Sequence, residues 1–298
     1  MIRPRRSVRF DRTSAGALVQ EFSPGQEIFQ RVILKVSEMK KRFPGAGNNF
    51  GTRARPARLV LAFISILLLS ALSQTSAQQR FSRRYPARQN VRLQLVNLFG
   101  TVTVEAWNRS EIKISANMDS PTARFTPRMD DNGMLIDVAG DNRGRGDIGD
   151  VNFTINVPVN STVDIETKRG NISINGVEGS MVRAHISLGG DINLTSIRAT
   201  EVFAQNTMGD ILFDGELRAG GSYLFKTTEG NISVRIPTNS EFRLEATAPL
   251  SRYIDLGAFS NRGANSISDG RKCVGNIGNA RASLQILNQR GRIAFLHR

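Results

Sequence analysis

Four short phrases between Ser161 and Pro237 constrain this chain more than anything else in it. They are Gly170-Asn-Ile-Ser-Ile, Gly190-Asp-Ile-Asn-Leu, Gly209-Asp-Ile-Leu-Phe and Gly230-Asn-Ile-Ser-Val, with glycines 20, 19 and 21 residues apart. A fixed period near twenty is that of a stacked repeat, in which each unit buries its apolar face only against its neighbours. Each unit opens on an alternating strand (Val163/Ile165, Val182/Ala184/Ile186, Val202/Ala204, Tyr223/Phe225), turns a short corner and enters the glycine phrase. Glycine supplies a left-handed backbone at the corner, and Asn or Asp tolerates the same region. The turn ladder is therefore Gly170, Asn171, Gly190, Asp191, Gly209, Asp210, Gly230 and Asn231. Ile172/Ile174, Ile192/Leu194, Ile211/Phe213 and Ile232/Val234 then fall at equivalent inward positions and build one apolar column.

Outside the repeats the pattern stays period two. Val91/Leu93/Leu95, Val102/Val104/Ala106 and Ile112/Ile114/Ala116 read as three strands of an antiparallel meander, and Arg124–Val138 as a hairpin around Asp131-Asn132-Gly133. Gly140 to Asp150 reads as a mobile loop, and Val151–Val157 as a strand stopped by Pro158. Phe242-Arg-Leu-Glu-Ala continues the repeat, Ser251 to Ala280 loses it, and Ala282–Leu287 with Gly291–Phe295 reads as the closing coil. The expected fold is all-β: a β-solenoid of twenty-residue repeats preceded by a meander, in one domain over 91–298.

The N-terminal part has a different grammar. Leu59 to Leu72 is an apolar run of 14 residues, preceded by Arg53, Arg55 and Arg58 and followed by Thr75-Ser76-Ala77. This is the layout of a secretory signal peptide over 53–77, cleaved after Ala77, and the run is short of the roughly 20 residues that span a bilayer. Residues 1–52 form a basic leader, within which Met39-Lys-Lys-Arg reads as the true translation start. The Arg-rich 78–90 stretch reads as a flexible tether. Export by the Sec route follows, to periplasm or cell surface, with membrane contact only through an uncleaved leader.

Net charge is +14, yet residues 1–77 hold 13 Lys/Arg against 4 Asp/Glu, leaving 27 against 22 for the rest. The remaining arginines are scattered singly along strands, so no nucleic-acid track is expected. The single cysteine, Cys273, forms no intramolecular disulfide, and two histidines (His185, His297) give a triad or histidine metal site little to draw on. If the corners stack in register, Asp191 and Asp210 are the candidate metal ligands, against the simpler reading that turn geometry places them. A polysaccharide-cleaving reading would use Asp210, Asp214 and Arg235. One Trp and three Tyr leave little for sugar rings to stack on. Six glycosylation sequons (at Asn108, Asn152, Asn160, Asn171, Asn193 and Asn231) arise mostly from the repeat grammar. Arg145-Gly146-Asp147 resembles an integrin tripeptide but suits any polar loop.

Gln94-Leu-Val-Asn-Leu-Phe-Gly-Thr-Val-Thr-Val, Lys226-Thr-Thr-Glu-Gly-Asn-Ile-Ser-Val-Arg-Ile-Pro and Asn288-Gln-Arg-Gly-Arg-Ile-Ala-Phe resemble the bacterial putative-adhesin family, exported β-repeat proteins with a DUF4097-type domain. The resemblance covers Val91 to Phe295 and implies the solenoid, no catalytic residues and no cofactor. The expected role is non-catalytic: an envelope protein, adhesin-like or a scaffold, whose partner is a surface macromolecule, protein or glycan. The alternatives are a periplasmic partner of an envelope-stress or membrane regulatory system and, third, a β-helical enzyme acting on polysaccharide.

Overall fold

The structure is a computed structural model that describes residues 79–131, 133–267 and 270–296. The leader, the signal peptide and their cleavage lie outside the described residues. The chain runs through β1 (Gln79–Pro86), β2 (Arg92–Val96), β3 (Val102–Trp107), β4 (Glu111–Met118), β5 (Arg128–Asp130) and β6 (Gly133–Asp137). A one-turn helix α1 (Val138–Asp141) and β7 (Val151–Pro158) follow. Four pairs then match the four repeats: β8 (Thr162–Arg169) with β9 (Ile172–Asn175), β10 (Met181–Gly189) with β11 (Ile192–Ile197), β12 (Glu201–Gln205) with β13 (Ile211–Gly215), and β14 (Ser222–Glu229) with β15 (Ile232–Arg235). The end comprises β16 (Phe242–Thr247), β17 (Ile254–Asp255), a 3-10 turn at Gly257–Phe259, β18 (Ala264–Ile267), β19 (Lys272–Ile277), β20 (Ala282–Arg290) and β21 (Ile293–Leu296).

Two sheets result. The first runs β1-β4-β7-β3-β9-β11-β13-β15-β21-β17 and the second β18-β19-β16-β20-β14-β12-β10-β8-β2-β6-β5. Within each repeat the first strand joins the second sheet and the glycine phrase crosses into the first. Equivalent residues pair in parallel from coil to coil, as in Ile172–Ile192–Ile211–Ile232–Ile293. This arrangement is a β-solenoid. Its core is the space between the sheets, where the alternating apolar residues of both are buried. Volumes are balanced across it: Ala184 and Ala204 on the second sheet leave room, while Phe213 on the first packs its ring 5.0 Å from Phe225 and 6.0 Å from Tyr223.

Three expectations are corrected. First, β2 and β3 do not pair with each other; they form a coil of the solenoid, β2 parallel to β8 and β6, and β3 parallel to β9 and β7. Alternation sets which residues face inward but not which strand lies alongside, and Gly100 turns a coil corner, not a hairpin. The antiparallel pairs at this end are β4 with β7, β4 with β1, and β5 with β6. Second, most of the 78–90 stretch is no tether. Gln79–Pro86 is an edge strand paired residue for residue with β4, holding Phe81 and Tyr85 half-buried against the core. Third, β20–β21 is not the closing coil, because β16 and β17 lie beyond it.

The expected hairpin forms as β5–β6. The expected loop at Gly140–Asp150 begins inside α1, buries Ile148 at 2 % exposure, and ties Asn142 to the carbonyls of Arg124 and Val138. The irregular 251–280 stretch becomes β17, the 3-10 turn and the antiparallel β18–β19 pair, with Phe259 edge-on to Phe242 at 5.4 Å and to Phe295 at 5.7 Å.

Candidate functional site

The corner that the four phrases build extends over six coils. Gly100, Gly170, Gly190, Gly209, Gly230 and Gly291 all have φ between +110° and +146°. They stack so closely that a Cβ on Gly209 would fall 2.2 Å from the Gly190 oxygen, and one on Gly230 2.0 Å from the Gly209 oxygen. Beside each glycine, the next residue binds its counterpart on the neighbouring coil. The Asn171 side-chain oxygen accepts the Asp191 N–H at 2.9 Å, Asp191 accepts that of Asp210 at 2.8 Å, Asp210 that of Asn231 at 2.7 Å, and Asn231 that of Arg292 at 3.1 Å. One carboxylate oxygen of Asp191 and one of Asp210 are thus engaged on backbone N–H groups, where the fold uses them as acceptors. Among the described residues no group of three or more His, Cys, Asp or Glu could hold a metal ion. Asn152 plays the same part toward the Thr101 N–H at 2.8 Å, so three of the six sequon asparagines are rungs or analogues of rungs.

Behind this exposed ladder runs a buried one. At or just past the ends of β2, β8, β12, β14 and β20, Asn97, Thr167, Asn206, Thr227 and Asn288 point inward at 0–2 % exposure, with Ile186 at the equivalent position of β10. Asn97 donates to the carbonyls of Phe99 and Val151, Asn206 to Gly190, and Asn288 to Gly230 and Arg292. Thr167 and Thr227 reach the corresponding carbonyls through their hydroxyls. At the Gly190, Gly209 and Gly230 corners these side chains supply a donor to a glycine carbonyl that turns away from the strand ladders, which a buried backbone requires. The sequence signal is small, one polar residue where the alternation predicts an apolar one.

The candidate enzymatic residues are assembled only in part. Asp214 and Arg235 sit on adjacent strands and form an ion pair at 3.4 Å, while Asp210 lies at the corner on the other end of β13. Other charged groups are spent in the same way along the coils. Asp164 is 6 % exposed, held between Arg183 at 3.0 Å and Arg92 at 3.4 Å, and Arg198 bridges Glu178 at 3.1 Å and Glu216 at 3.3 Å. His185 Nδ1 lies 3.8 Å from Glu166. Cys273 is buried at 3 % exposure, and burial pushes its thiol above the ordinary value, which opposes a nucleophilic role. Burial likewise raises the Tyr223 hydroxyl, partly offset by the Arg218 N–H that it accepts; it donates to the Ala199 carbonyl at 2.9 Å. Arg145, Gly146 and Asp147 are exposed, and Asp147 accepts the Gly149 N–H at 2.9 Å.

What the coils do present continuously is the outer face of the first sheet. In register across seven strands stand Ser115, Thr154, Thr103, Ser173, Asn193, Leu212 and Ser233. The corner ladder flanks this row on one side, and Asn156, Glu105, Asn175, Thr195 and Asp214 flank it on the other. Apart from Leu212, short hydroxyl, amide and carboxylate side chains thus repeat at the inter-strand spacing of about 4.8 Å.

The fold and its ladders define an all-β solenoid of stacked coils with a polar, patterned outer face. The chain belongs to the Toastrack DUF4097 family, whose match spans residues 142–294. Solved structures with a similar course include a putative cell adhesion protein from Clostridium sporogenes, 12 % identical, covering 74 % of this chain and 100 % of its own, with a TM-score of 0.46. A putative adhesin from Bacteroides fragilis is 10 % identical over 74 % of this chain and 99 % of its own, with a TM-score of 0.31. A putative lipid binding protein from Parabacteroides distasonis is 10 % identical over 73 % and 97 %, with a TM-score of 0.27. No curated protein matches the chain. Among the described residues no helix is long and apolar enough to cross a membrane.

Proposed function

We propose that this protein is a non-catalytic, exported component of the cell envelope. Its first-sheet outer face holds another macromolecule, protein or glycan, in an adhesin-like or scaffold role. The observation that carries this reading is the register of that face: seven strands align one row, in which six present short polar side chains and Leu212 interrupts them. Extended concave or flat surfaces built by repetition are those on which solenoid proteins bind other chains. The ionisable groups support the same reading, since Asp164, Asp214, Glu178 and Glu216 are paired with arginines of neighbouring coils. Family membership agrees with it.

Protease shaving of intact cells, with N-terminal sequencing of the recovered protein, tests the location. Fragments released from whole cells are the expected result. Protection until the outer layer is breached removes the adhesin-like role and leaves the periplasmic-partner alternative. A mature start at Gln78 identifies the exported form. The face itself is tested by Ser173→Arg with Asn193→Arg, which place two bulky cations in the middle of the row without touching the core. Loss of envelope-fraction binding by a folded variant is expected; undiminished binding excludes this face.

A further inference from the structure

The coil made by β20 and β21 follows β16 and β17 in the chain but lies inside them in the stack. β20 lies parallel to β14, from Ser222–Ser283 to Glu229–Arg290, and on its other side parallel to β16, from Phe242–Ala282 to Thr247–Leu287. β21 lies the same way between β15 and β17. Residues 282–296 therefore fill a slot whose two walls both precede them in the chain, and β14 and β16 are not neighbours in the sheet. Leu284, Ile286 and Ile293 are fully buried in the slot, and Phe295 stacks on Phe242 at 6.1 Å.

These contacts, and that of the Phe259 ring with Phe295, are all with residues before 260, ahead of the linker, so the same segment from another copy would make them equally well. The linker joining β19 to β20 is only 278–281, and it holds Gly278 at φ +63° and Ala280 at φ +51°. An alanine in the left-handed region is strained, and the strain is relieved when the linker straightens. An element on a short, strained hinge is the arrangement that exchanges between protomers at little cost in contacts.

We propose that the slot between the β14–β15 and β16–β17 coils is a strand-exchange site. It accepts the 282–296 coil of a second copy of this chain in place of its own. The proposal goes beyond the binding face described above and does not depend on it.

The unmodified chain is first sized by light scattering after chromatography at a series of loading concentrations. A dimer fraction that grows with concentration and persists on dilution is expected; a monomer at every concentration overturns the proposal. The dimer is then assigned with Ser222→Cys and Ser283→Cys, placed on differently tagged copies made in one cell. These two positions are exposed register partners, about 4.8 Å apart across parallel strands and so within reach of a disulfide. Exchange predicts a disulfide joining the two tags in excess of either homodimer. A dimer without that excess is held by some other surface, the 59–72 run included, and overturns the proposal. Both cysteines in one chain should close a bridge inside the monomer, which shows that the variants fold. Ala280→Gly removes the hinge strain and should lower the dimer fraction; an equal or higher fraction overturns the hinge as the driving element.

Discussion

At the scale of single residues, the fold depends on what cannot be placed at the corner. Gly209 has φ +125°, and a Cβ there would meet the Gly190 oxygen at 2.2 Å and the Asp191 side-chain oxygen at 2.9 Å. Neither neighbour can yield, because the first is backbone and the second is bonded to the Asp210 N–H. Gly209→Ala should therefore cost roughly 2–4 kcal/mol, combining a forbidden backbone region with overpacking. The check is the midpoint of urea unfolding against the exposed control Gly146→Ala, where a Cβ meets nothing within 4 Å. A shift no larger than the control's would show that the corner can open. These glycines were legible in the sequence because a Gly that returns at a fixed period marks a backbone position no side chain can occupy. The buried Asn97, Asn206 and Asn288 were not, since each occurs once per coil at a position that alternates with threonine and isoleucine.

At the scale of elements, the two carboxylates held below their ordinary values lie in the last part of the stack, on β16 and β17. The Gly257 N–H and then the Arg292 guanidinium hold the Asp255 carboxyl below its ordinary value of 3.8. Lys272, by hydrogen bond and by charge, holds Glu245 below 4.5. A carboxylate with a depressed folded-state pKa adds stability above its unfolded value, and that stability is lost as pH falls through the folded value. Below about pH 4 the β16–β19 pair and the β17 turn should therefore loosen before the repeats, whose strands are joined coil to coil by backbone hydrogen bonds. Protection factors from hydrogen exchange, corrected for intrinsic rate, should fall first at 254–259 between pH 6 and pH 3. A uniform fall over all coils would contradict this. Solvent screening keeps the effect small, because Asp255 and Glu245 are each 44 % exposed.

At the scale of the whole molecule, coil order and chain order part company at both ends. β2–β3 lies inside β6–β7, and β20–β21 lies inside β16–β17. Each end is thus closed by a coil that cannot join the stack until a segment distant in sequence is in place. Deleting Ala282 to Arg298 should expose the facing edges of β14 and β16 together with Phe242, and open strand edges associate. The truncated chain is expected in the insoluble fraction on expression. A soluble, monomeric truncation would mean that β16 can close directly onto β14.

The sequence by itself determined the period, the corner residues, the inward-facing columns and the all-β class, because these follow from local rules: alternation of two, glycine where φ is positive, Asn and Asp beside it. Even the coil β2–β3 carried the repeat phrase in Leu98-Phe-Gly-Thr-Val, although spacing alone did not separate it from a hairpin. Partner choice belonged to the tertiary structure. Whether Val102 pairs with Ile112 or with Ile172, and whether Ala282 ends the stack or enters it, depends on which apolar faces remain open once neighbouring coils are packed. Gln79–Pro86 shows the same division. Its arginines read as solvated chain until β4 offers it an edge and the core offers Phe81 and Tyr85 a place to rest.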